Sequence, residues 1–366
     1  MPRSIALLVI VVMCAAGACG FAPAAPGSAG AAANGGPLGA GANGGGLVGG
    51  GTAAQSGQAN NTGMNCAEVP QPLNKLPPDI LIVLDKSGSM NDSADGTCTG
   101  NCGANSKWTQ TVAALTTVIS QTDTTVNWGL KFFASPNGGM CGVNQGADVA
   151  IAANNATAVN NAINGQTPGN STPTRTAVAN GAAYLGTVNQ PNPKFLLLAT
   201  DGLPNCTPGC SGNTACSASD MTGAVNAVMT AATAGFPTFV VGIATTSDPM
   251  SDATLTQMAN AGGYPRAGTP SYYPVMNQAD LVAALNQIVV IAGTCIFAIP
   301  TPPNNDTDAM HIGVKVDGTE IGRDTTHMNG WDYSGTSQVE IFGPSCQAIM
   351  AGTVQSVQIV FKCIIN

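Results

Sequence analysis

The sequence predicts an α/β domain with a mainly parallel β-sheet and helices on both faces, followed by a small C-terminal β module. Between residues 79 and 292, short apolar runs alternate with Ala-rich stretches of helical length. Continuous apolar runs are typical of parallel strands that are buried on both faces. Beyond Cys295 the helical stretches end, and strand-like segments separated by Pro and Gly take their place.

Strands and helices are expected to alternate along the α/β domain. The connection between strands 128–134 and 149–152 contains no helical stretch, whereas a parallel pair requires a long crossover connection. One of these two strands is therefore predicted to be an antiparallel edge strand. The predicted strands are 80–84, 128–134, 149–152, 195–200, 238–243 and a weaker 272–275, and the predicted helices are 107–121, 174–185, 221–234, 252–261 and 278–291.

Residues 295–366 are expected to form the β module. A unit of about 70 residues buries only a small core, so we expect disulfide bonds to stabilise it. Its predicted strands are 311–316, 338–342 and 354–361, with turns at Asp317-Gly318 and Gly343-Pro344 and at most one helical turn at 346–351.

The N-terminus has the layout of an export signal. Residues 1–18 combine a basic start with an apolar run that is too short to span a membrane. Small residues precede Cys19, which resembles the processing site of bacterial lipoproteins, so a lipid anchor at Cys19 is predicted. Ordinary cleavage after Ala18 is the alternative. Gly20 favours the outer membrane, and we expect an exported outer-membrane lipoprotein or cell-surface protein.

Residues 19–65 are predicted to be a disordered tether. They contain no charged residue and are dominated by Gly, Ala and Asn, so they cannot bury enough apolar surface to fold. A flexible chain of about 45 residues has an r.m.s. reach of roughly 35–40 Å. The α/β domain is then assigned to residues 66–294.

The charge composition argues against a nucleic-acid partner. Only 8% of the residues are Asp, Glu, Lys or Arg, and the formal net charge is −8. Proteins that bind nucleic acid neutralise phosphates with clustered Lys and Arg, and the sequence has no such cluster. Contact with a membrane is expected through the lipid anchor alone.

The cysteines are predicted to form disulfide bonds. An even number of cysteines in an exported chain favours disulfides, and the paired spacing of zinc ribbons is absent. The candidates are Cys66, Cys98, Cys102, Cys141, Cys206, Cys210, Cys216, Cys295, Cys346 and Cys363. Their positions relative to the predicted strands favour Cys98 with Cys102, Cys141 with one of the Cys206–Cys216 group, and Cys66 with Cys295 or with the β module.

Three polar segments follow predicted strands or precede a predicted helix. The segment Asp85-Lys86-Ser87-Gly88-Ser89 follows the first strand, residues 169–174 precede a helix, and Asp201-Gly202 follows the strand at 195–200. Ligands of open α/β sheets bind beyond the carboxyl ends of the strands, where these segments are expected to meet. Hydroxyl and carboxylate oxygens are the ligands that hard divalent cations prefer.

The three segments, in this order, resemble the von Willebrand factor A domain, which has a Rossmann-like fold, and its metal-ion-dependent adhesion site. The resemblance implies that Ser87, Ser89 and Thr172 supply hydroxyl oxygens to a divalent cation. It also implies that Asp85 and Asp201 act through bound waters or balance the charge. Mg²⁺ is the expected cation, with Mn²⁺ and Ca²⁺ as alternatives.

Each segment also has a simpler structural explanation. Ser-Gly-Ser and Asp201-Gly202 are common turns, and Thr172 is a possible helix N-cap. For the cation site, alternation along an extended loop is expected to place Asp85, Ser87 and Ser89 on one side, with Gly88 permitting a tight turn. The presence of all three segments favours the cation site.

The sequence therefore predicts a cell-envelope protein that binds a carboxylate of a protein or peptide ligand through a divalent cation. The alternative is a scaffold of an envelope complex, in which the metal only stabilises loops. An enzyme is not expected, because His311 and His327 lie far from the strand-end loops and leave their serines without a base. Asp317 and Asp324 lie near the histidines in sequence, but His327 is expected to be an exposed loop residue rather than a ligand.

Overall fold

The apolar runs between residues 79 and 275 form a mixed, mostly parallel sheet. The computed structural model describes residues 69–135, 139–207, 220–245, 248–293, 295–303, 307–350 and 353–363. Its strands are β1 Val69–Pro72, β2 Asp79–Asp85, β3 Asn127–Phe133, β4 Val149–Ala152, β5 Lys194–Thr200, β6 Thr238–Ile243, β7 Tyr273–Val275, β8 Ile296–Ala298, β9 Thr307–Val316, β10 Thr319–Ile321, β11 Gly330–Tyr333, β12 Gln338–Phe342 and β13 Val357–Cys363. Its helices are α1 Lys107–Gln121, α2 Ala156–Asn164, α3 Thr174–Leu185, α4 Met221–Thr233, α5 Pro249–Ala261, α6 Gln278–Ala292 and α7 Gly343–Met350.

The large sheet has the strand order β4-β3-β2-β5-β6-β7. Strand β2 is central and pairs in parallel with β3 and β5, whereas β4 lies antiparallel at the edge beside β3. The predicted fold class and the antiparallel edge strand are therefore confirmed. A parallel interior of this kind places the carboxyl ends of β2 and β5 side by side.

Alternating side chains of β2 support two separate hydrophobic cores. Ile80 and Ile82 pack with Leu115 of α1 and Ile288 of α6 on one face of the sheet. Leu81 and Val83 pack with residues of α3, α4 and α5 on the other face. Because side chains of a strand alternate between faces, helices on both sides are needed to bury an all-apolar strand.

Helix α2 was not predicted from the sequence. Its buried residues Ala156, Val159 and Ile163 have helical spacing, but asparagines at positions such as Asn160 and Asn161 lower the helix propensity of the segment. Packing of the apolar stripe against the core that contains Trp128 overrides that weak local preference.

The C-terminal module consists of two antiparallel sheets, β1-β13-β9-β10 and β11-β12-β8. Phe297, Val314, Trp331 and Ile359 belong to its buried core. Strand β1 precedes the α/β domain in sequence, yet it pairs with β13, with Val69 opposite Phe361. The sequence division at residues 66–294 and 295–366 did not anticipate this pairing.

The two turns predicted in the module have different outcomes. Asp317 and Gly318 connect β9 to β10 as a two-residue hairpin turn, with φ values of 46° and 78°, so this prediction is confirmed. Gly343-Pro344 is not a simple turn, because it begins α7, and this helix is longer than the possible helical turn predicted at 346–351. Proline is well suited to the first turn of a helix, where its missing N–H is not needed.

Three disulfide bonds are present among the described residues: Cys98–Cys102, Cys141–Cys206 and Cys295–Cys346. The last bond excludes the alternative in which Cys66 pairs with Cys295, and it ties the segment between α6 and β8 to α7. Cys19, Cys66, Cys210 and Cys216 lie outside the described residues, and of Cys363 only the backbone is described. Within the described ranges, no helix has the length and apolar character needed to cross a membrane.

Asp79 places a buried carboxyl group at the start of the central strand. Its Oδ1 accepts hydrogen bonds from the side-chain amides of Asn127 and Asn192, both at 2.8 Å. Its Oδ2 is buried and has no hydrogen-bond partner among the described residues. Burial raises the pKa of this carboxyl, against the lowering effect of the two hydrogen bonds and of Lys194.

We expect Ile82→Ala to destabilise the domain strongly. Ile82 is fully buried at the centre of the sheet, and removing such a side chain costs about 2–5 kcal/mol through lost burial and the cavity left behind. Guanidinium unfolding followed by circular dichroism measures the loss. Val290→Ala is the control, because Val290 is 55% exposed and should change little. Equal effects of the two substitutions would contradict the assigned core.

The raised pKa of Asp79 predicts a pH-dependent stability. The folded state binds the proton of this carboxyl more tightly than the unfolded state, so the free energy of unfolding should fall as the pH rises above about 4. Asp79→Asn should remove this component, which unfolding curves at several pH values measure. Asp248→Asn is a control of opposite sign, because the hydrogen bond from the Ser251 hydroxyl and two backbone N–H groups lower the pKa of Asp248. If the free energy of unfolding of wild type and of Asp79→Asn changed with pH in the same way, the raised pKa of Asp79 would be contradicted.

Candidate functional site

The polar segments predicted to meet at the carboxyl edge of the large sheet are in contact there. The backbone N–H of Gly88 donates to the carbonyl of Asn170 at 3.0 Å, and that of Gly169 donates to the carbonyl of Lys86 at 2.7 Å. These two bonds join the loop after β2 to the loop before α3. The N–H of Asn205 donates to the carbonyl of Thr172 at 3.2 Å and joins the loop after β5 to them.

A fourth loop, between β3 and β4, is bonded to the same group. Cys141 forms its disulfide with Cys206 of the loop after β5. The N–H of Ser171 also donates to the carbonyl of Met140 at 3.0 Å. The four loops are therefore held together by backbone hydrogen bonds and one covalent bond.

Asp85 is the buried acid of this site and the last residue of β2. Its Oδ1 accepts from the backbone N–H of Ser87 at 2.7 Å, and its Oδ2 accepts from the hydroxyl of Thr200 at 2.6 Å. Burial raises the pKa of Asp85, and the charge of Asp201 raises it further. The two carboxyl groups thus repel each other when both are ionised.

The hydroxyl groups of Ser87 and Ser89 connect the first loop to Asp201. Their Oγ atoms are 3.1 Å apart, and Ser89 Oγ donates to Asp201 Oδ1 at 2.9 Å. The expected alternation along an extended loop is only partly correct. Ser87 has an extended backbone, but a 3₁₀ turn begins at Gly88 and carries Ser89 back toward Asp201.

The role assigned to Gly88 is not supported by its geometry. Its φ lies outside the positive range, and a Cβ added there would make only an ordinary contact, 3.7 Å from the carbonyl oxygen of Asn170. The turn therefore does not require glycine at this position. What fixes Gly88 is its backbone N–H bond to the neighbouring loop.

Thr172 lies at the site but does not cap helix α3. The N-cap position is Pro173, and no side chain caps this helix. The buried Thr172 is instead positioned by its backbone, whose N–H donates to Asn205 Oδ1 at 2.8 Å. Asn205 was not identified from the sequence, because its role depends on a contact between two loops that lie 33 residues apart.

A lysine that was not predicted from the sequence contacts the site. Lys107, the first residue of α1, donates through Nζ to Asp201 Oδ2 at 2.8 Å. The side chain of Asp201 is fully buried, and that of Lys107 is 12% exposed. One signal was available in the sequence: a cation in the first turn of a helix opposes the helix dipole and calls for a compensating anion.

Lys86 follows Asp85 directly but interacts with a different acid. Its buried ammonium feels the charge of Asp148, which lies beside β4, while burial lowers its pKa. We expected Lys86 to point away from the cation site; the charge of Asp148 acts on its pKa in the direction opposite to burial.

A cleft of about 440 Å³ opens beside these residues. Ser89, Thr172 and Asp201 form one end of its lining. Toward the beginning of α5 the lining consists of Thr245, Asp248 and Ser251. Its volume lies within the range that is typical of ligand sites.

No group of three or more His, Cys, Asp or Glu side chains is arranged for metal binding within the described ranges. A cation site at this edge must therefore rely on hydroxyl oxygens in addition to the two carboxylates.

The histidine and aspartates of the β module lie apart from this edge in sequence. Nε2 of the exposed His327 lies 3.1 Å from Oδ2 of Asp332, and the His327 ring stacks on Phe342. Asp324 accepts hydrogen bonds from its own loop, and Asp317 from residues before β13.

Several solved structures resemble the chain at low sequence identity. The pilus adhesin SpaC from Lactobacillus rhamnosus GG is 19% identical over 79% of this chain and 39% of its own, with a TM-score of 0.44. The vWF domain of the type V pili tip protein Mfa5 from Porphyromonas gingivalis is 13% identical over 59% and 95%, with a TM-score of 0.41. Manganese-loaded TRAP from Plasmodium vivax is 13% identical over 76% and 97%, with a TM-score of 0.43.

The chain spans about two fifths of the length of SpaC. None of the curated proteins compared with the chain matches it. The model of the von Willebrand factor type A domain matches residues 79–287, which is more than half of the chain and includes Asp85, Thr172 and Asp201. The chain therefore belongs to the von Willebrand factor type A domain family.

Proposed function

We propose that the strand-end loops bind a divalent cation and, through it, a carboxylate of a protein or peptide partner. The observation that carries this proposal is the continuous network of oxygen atoms from Ser87 through Ser89 to Asp201 at the end of an open cleft. Mg²⁺ is the cation we favour, with Mn²⁺ and Ca²⁺ as alternatives, since all three prefer oxygen ligands.

The residues fit such a cation in their chemistry. Ser87, Ser89 and Thr172 would offer neutral hydroxyl oxygens, and Asp85 and Asp201 would balance the charge. The raised pKa of Asp85 reflects burial and two carboxyl groups held close together, an unfavourable arrangement that a positive ion relieves. A cation bound largely by neutral oxygens keeps positive charge that attracts an external carboxylate.

The remaining residues orient the oxygen donors. The N–H of Ser87 and the hydroxyl of Thr200 fix both oxygens of Asp85. The amide of Asn205 fixes the backbone of Thr172. A site whose donors are already oriented loses little conformational freedom when a ligand binds, which favours recognition.

The scaffold alternative, in which the metal only stabilises loops, explains less. The loops are already joined by the Gly88–Asn170 and Gly169–Lys86 backbone bonds and by the Cys141–Cys206 disulfide. A cation is not needed to hold them. The open cleft next to the hydroxyl groups favours partner binding.

We also propose that the protein is exported and displayed at the cell surface, through a lipid on Cys19 and the tether of residues 19–65. The composition of these residues supports the proposal, as do the disulfides of the folded part, which form in oxidising compartments. Incorporation of labelled palmitate into wild-type protein but not into Cys19→Ser tests the anchor.

The cation proposal predicts that Asp201→Asn weakens divalent-cation binding. Removing one of two carboxylates lowers the negative charge of the site, so we expect at least about a tenfold rise in the dissociation constant of Mn²⁺. Calorimetric titration of the purified full-length chain with MnCl₂ and MgCl₂ measures it. Glu320→Gln, in an exposed ion pair with Lys362 of the β module, is the control and should bind like wild type. Absence of cation binding by wild-type protein would contradict the proposal.

The partner proposal predicts cation-dependent capture of an acidic surface. A cell-envelope extract is passed over immobilised protein in Mg²⁺ or in EDTA, and bound proteins are identified by mass spectrometry. A genuine partner should be retained only with Mg²⁺, should be lost with Asp85→Ala, and should be lost after its carboxyl groups are converted to amides with carbodiimide and an amine. Capture that is unchanged by EDTA and by the substitution would contradict the proposal. Capture that depends on Mg²⁺ but is unchanged by amidation of the partner would exclude a carboxylate ligand.

A further inference from the structure

Lys107 places an ammonium group at the site where we propose that a divalent cation binds. Its ammonium lies 2.8 Å from Asp201 Oδ2, while Asp201 Oδ1 accepts from Ser89 Oγ at 2.9 Å. The Asp201 carboxylate is thus shared between the hydroxyl network and the lysine. With Asp85 and Asp201 ionised, the group formed by these two carboxylates and the Lys107 ammonium carries a single net negative charge.

Local helix structure does not explain a lysine at this position. Helix α1 is capped by Ser106, which accepts from the N–H of Thr109 at 3.1 Å. A cation in the first turn is unfavourable toward the helix dipole, and burying most of its side chain costs solvation free energy. The contact with Asp201 is the one interaction of Lys107 Nζ in the described chain that offsets both costs.

We propose that Lys107 is a built-in counter-ion that holds Asp201 when no divalent cation is bound and lowers the affinity of the site for one. This inference rests on the proposed cation-dependent function. A lysine and a divalent ion compete for the same carboxylate and repel each other, so cation affinity is lower than the two acids alone would give. With the cation bound and Lys107 still present, the group carries a net positive charge that matches one partner carboxylate.

In this proposal Lys107 is not a ligand of the cation. It lowers the fraction of sites that a cation occupies. Cation binding should be weak without a partner and stronger with one, because the partner's carboxylate neutralises the excess positive charge. By linkage, the cation raises affinity for the partner by the same factor. Lys86 forms no ion pair with Asp201 among the described residues, so it is not placed to act in this way.

Calorimetric titration of the full-length chain with MnCl₂ tests the inference in wild type, Lys107→Met, Lys107→Gln and Lys107→Arg. The two neutral variants should bind Mn²⁺ at least about tenfold more tightly than wild type, because a like charge next to the ion is removed. Lys107→Arg keeps the charge and should stay close to wild type. Lys86→Met is the matched control: it removes a buried positive charge from the same edge without touching Asp201, and a much smaller change is expected.

Thermal unfolding in EDTA provides a second measurement. Lys107→Met leaves a buried Asp201 without its cation, so the melting temperature should fall in EDTA and recover with MnCl₂ by more than that of wild type. Lys107→Gln keeps an N–H donor toward Asp201, so the same melting temperatures can be measured on it if Lys107→Met does not fold.

The outcomes separate the inference from the proposed function. Equal or weaker Mn²⁺ binding by the neutral variants, with clear binding by wild type, overturns the role of Lys107 and leaves the proposed function intact. Binding by the neutral variants but not by wild type supports Lys107 as the counter-ion and overturns cation-dependent function. Binding by none of the proteins overturns both.

Discussion

The buried carboxylate of Asp85 is the interaction on which the rest of the site depends. It ends the central strand inside the protein, where an ionised group is stable only when hydrogen bonds compensate it. The N–H of Ser87 and the hydroxyl of Thr200 supply those bonds, so one side chain fixes the start of the first loop and ties it to β5. Substituting it therefore affects loop geometry as well as charge, which is why a binding test on Asp85 is paired with measurements on Asp201.

Charge compensation at the sheet edge is uneven. Lys107 of α1 forms an ion pair with Asp201 after β5, and the charge of Asp148 beside β4 acts on Lys86 after β2, whereas Asp85 has hydrogen bonds in place of a counter-charge. A chain with only 8% charged residues concentrates several of them here. A buried ion pair contributes little net stability compared with apolar packing, which agrees with the binding role that we propose for this edge.

The sequence predicted what local pattern determines and missed what long-range contacts determine. The apolar runs and the polar residues that follow them predicted that Asp85 and Asp201 lie at the same edge of the sheet, because the carboxyl ends of parallel strands share that edge. Lys107 and Asn205 were missed, since their partners lie 94 and 33 residues away in sequence. Strand β1 was missed for the same reason: it is short, contains two prolines, and pairs with the last described strand of the chain.

The fixed positions of the oxygen donors bear on how the proposed site would select a cation. Backbone bonds at Gly88 and Gly169 and the Cys141–Cys206 disulfide hold the donors in place without any ion. Binding free energy is then not consumed in ordering loops, and affinity depends on electrostatics and on the fit of oxygen atoms around the ion. In the proposed site, the charge of Lys107 would act at short range, because its ammonium lies 2.8 Å from Asp201 Oδ2 and its side chain is only 12% exposed. Selectivity among divalent cations should then follow ion size more closely than in a flexible loop.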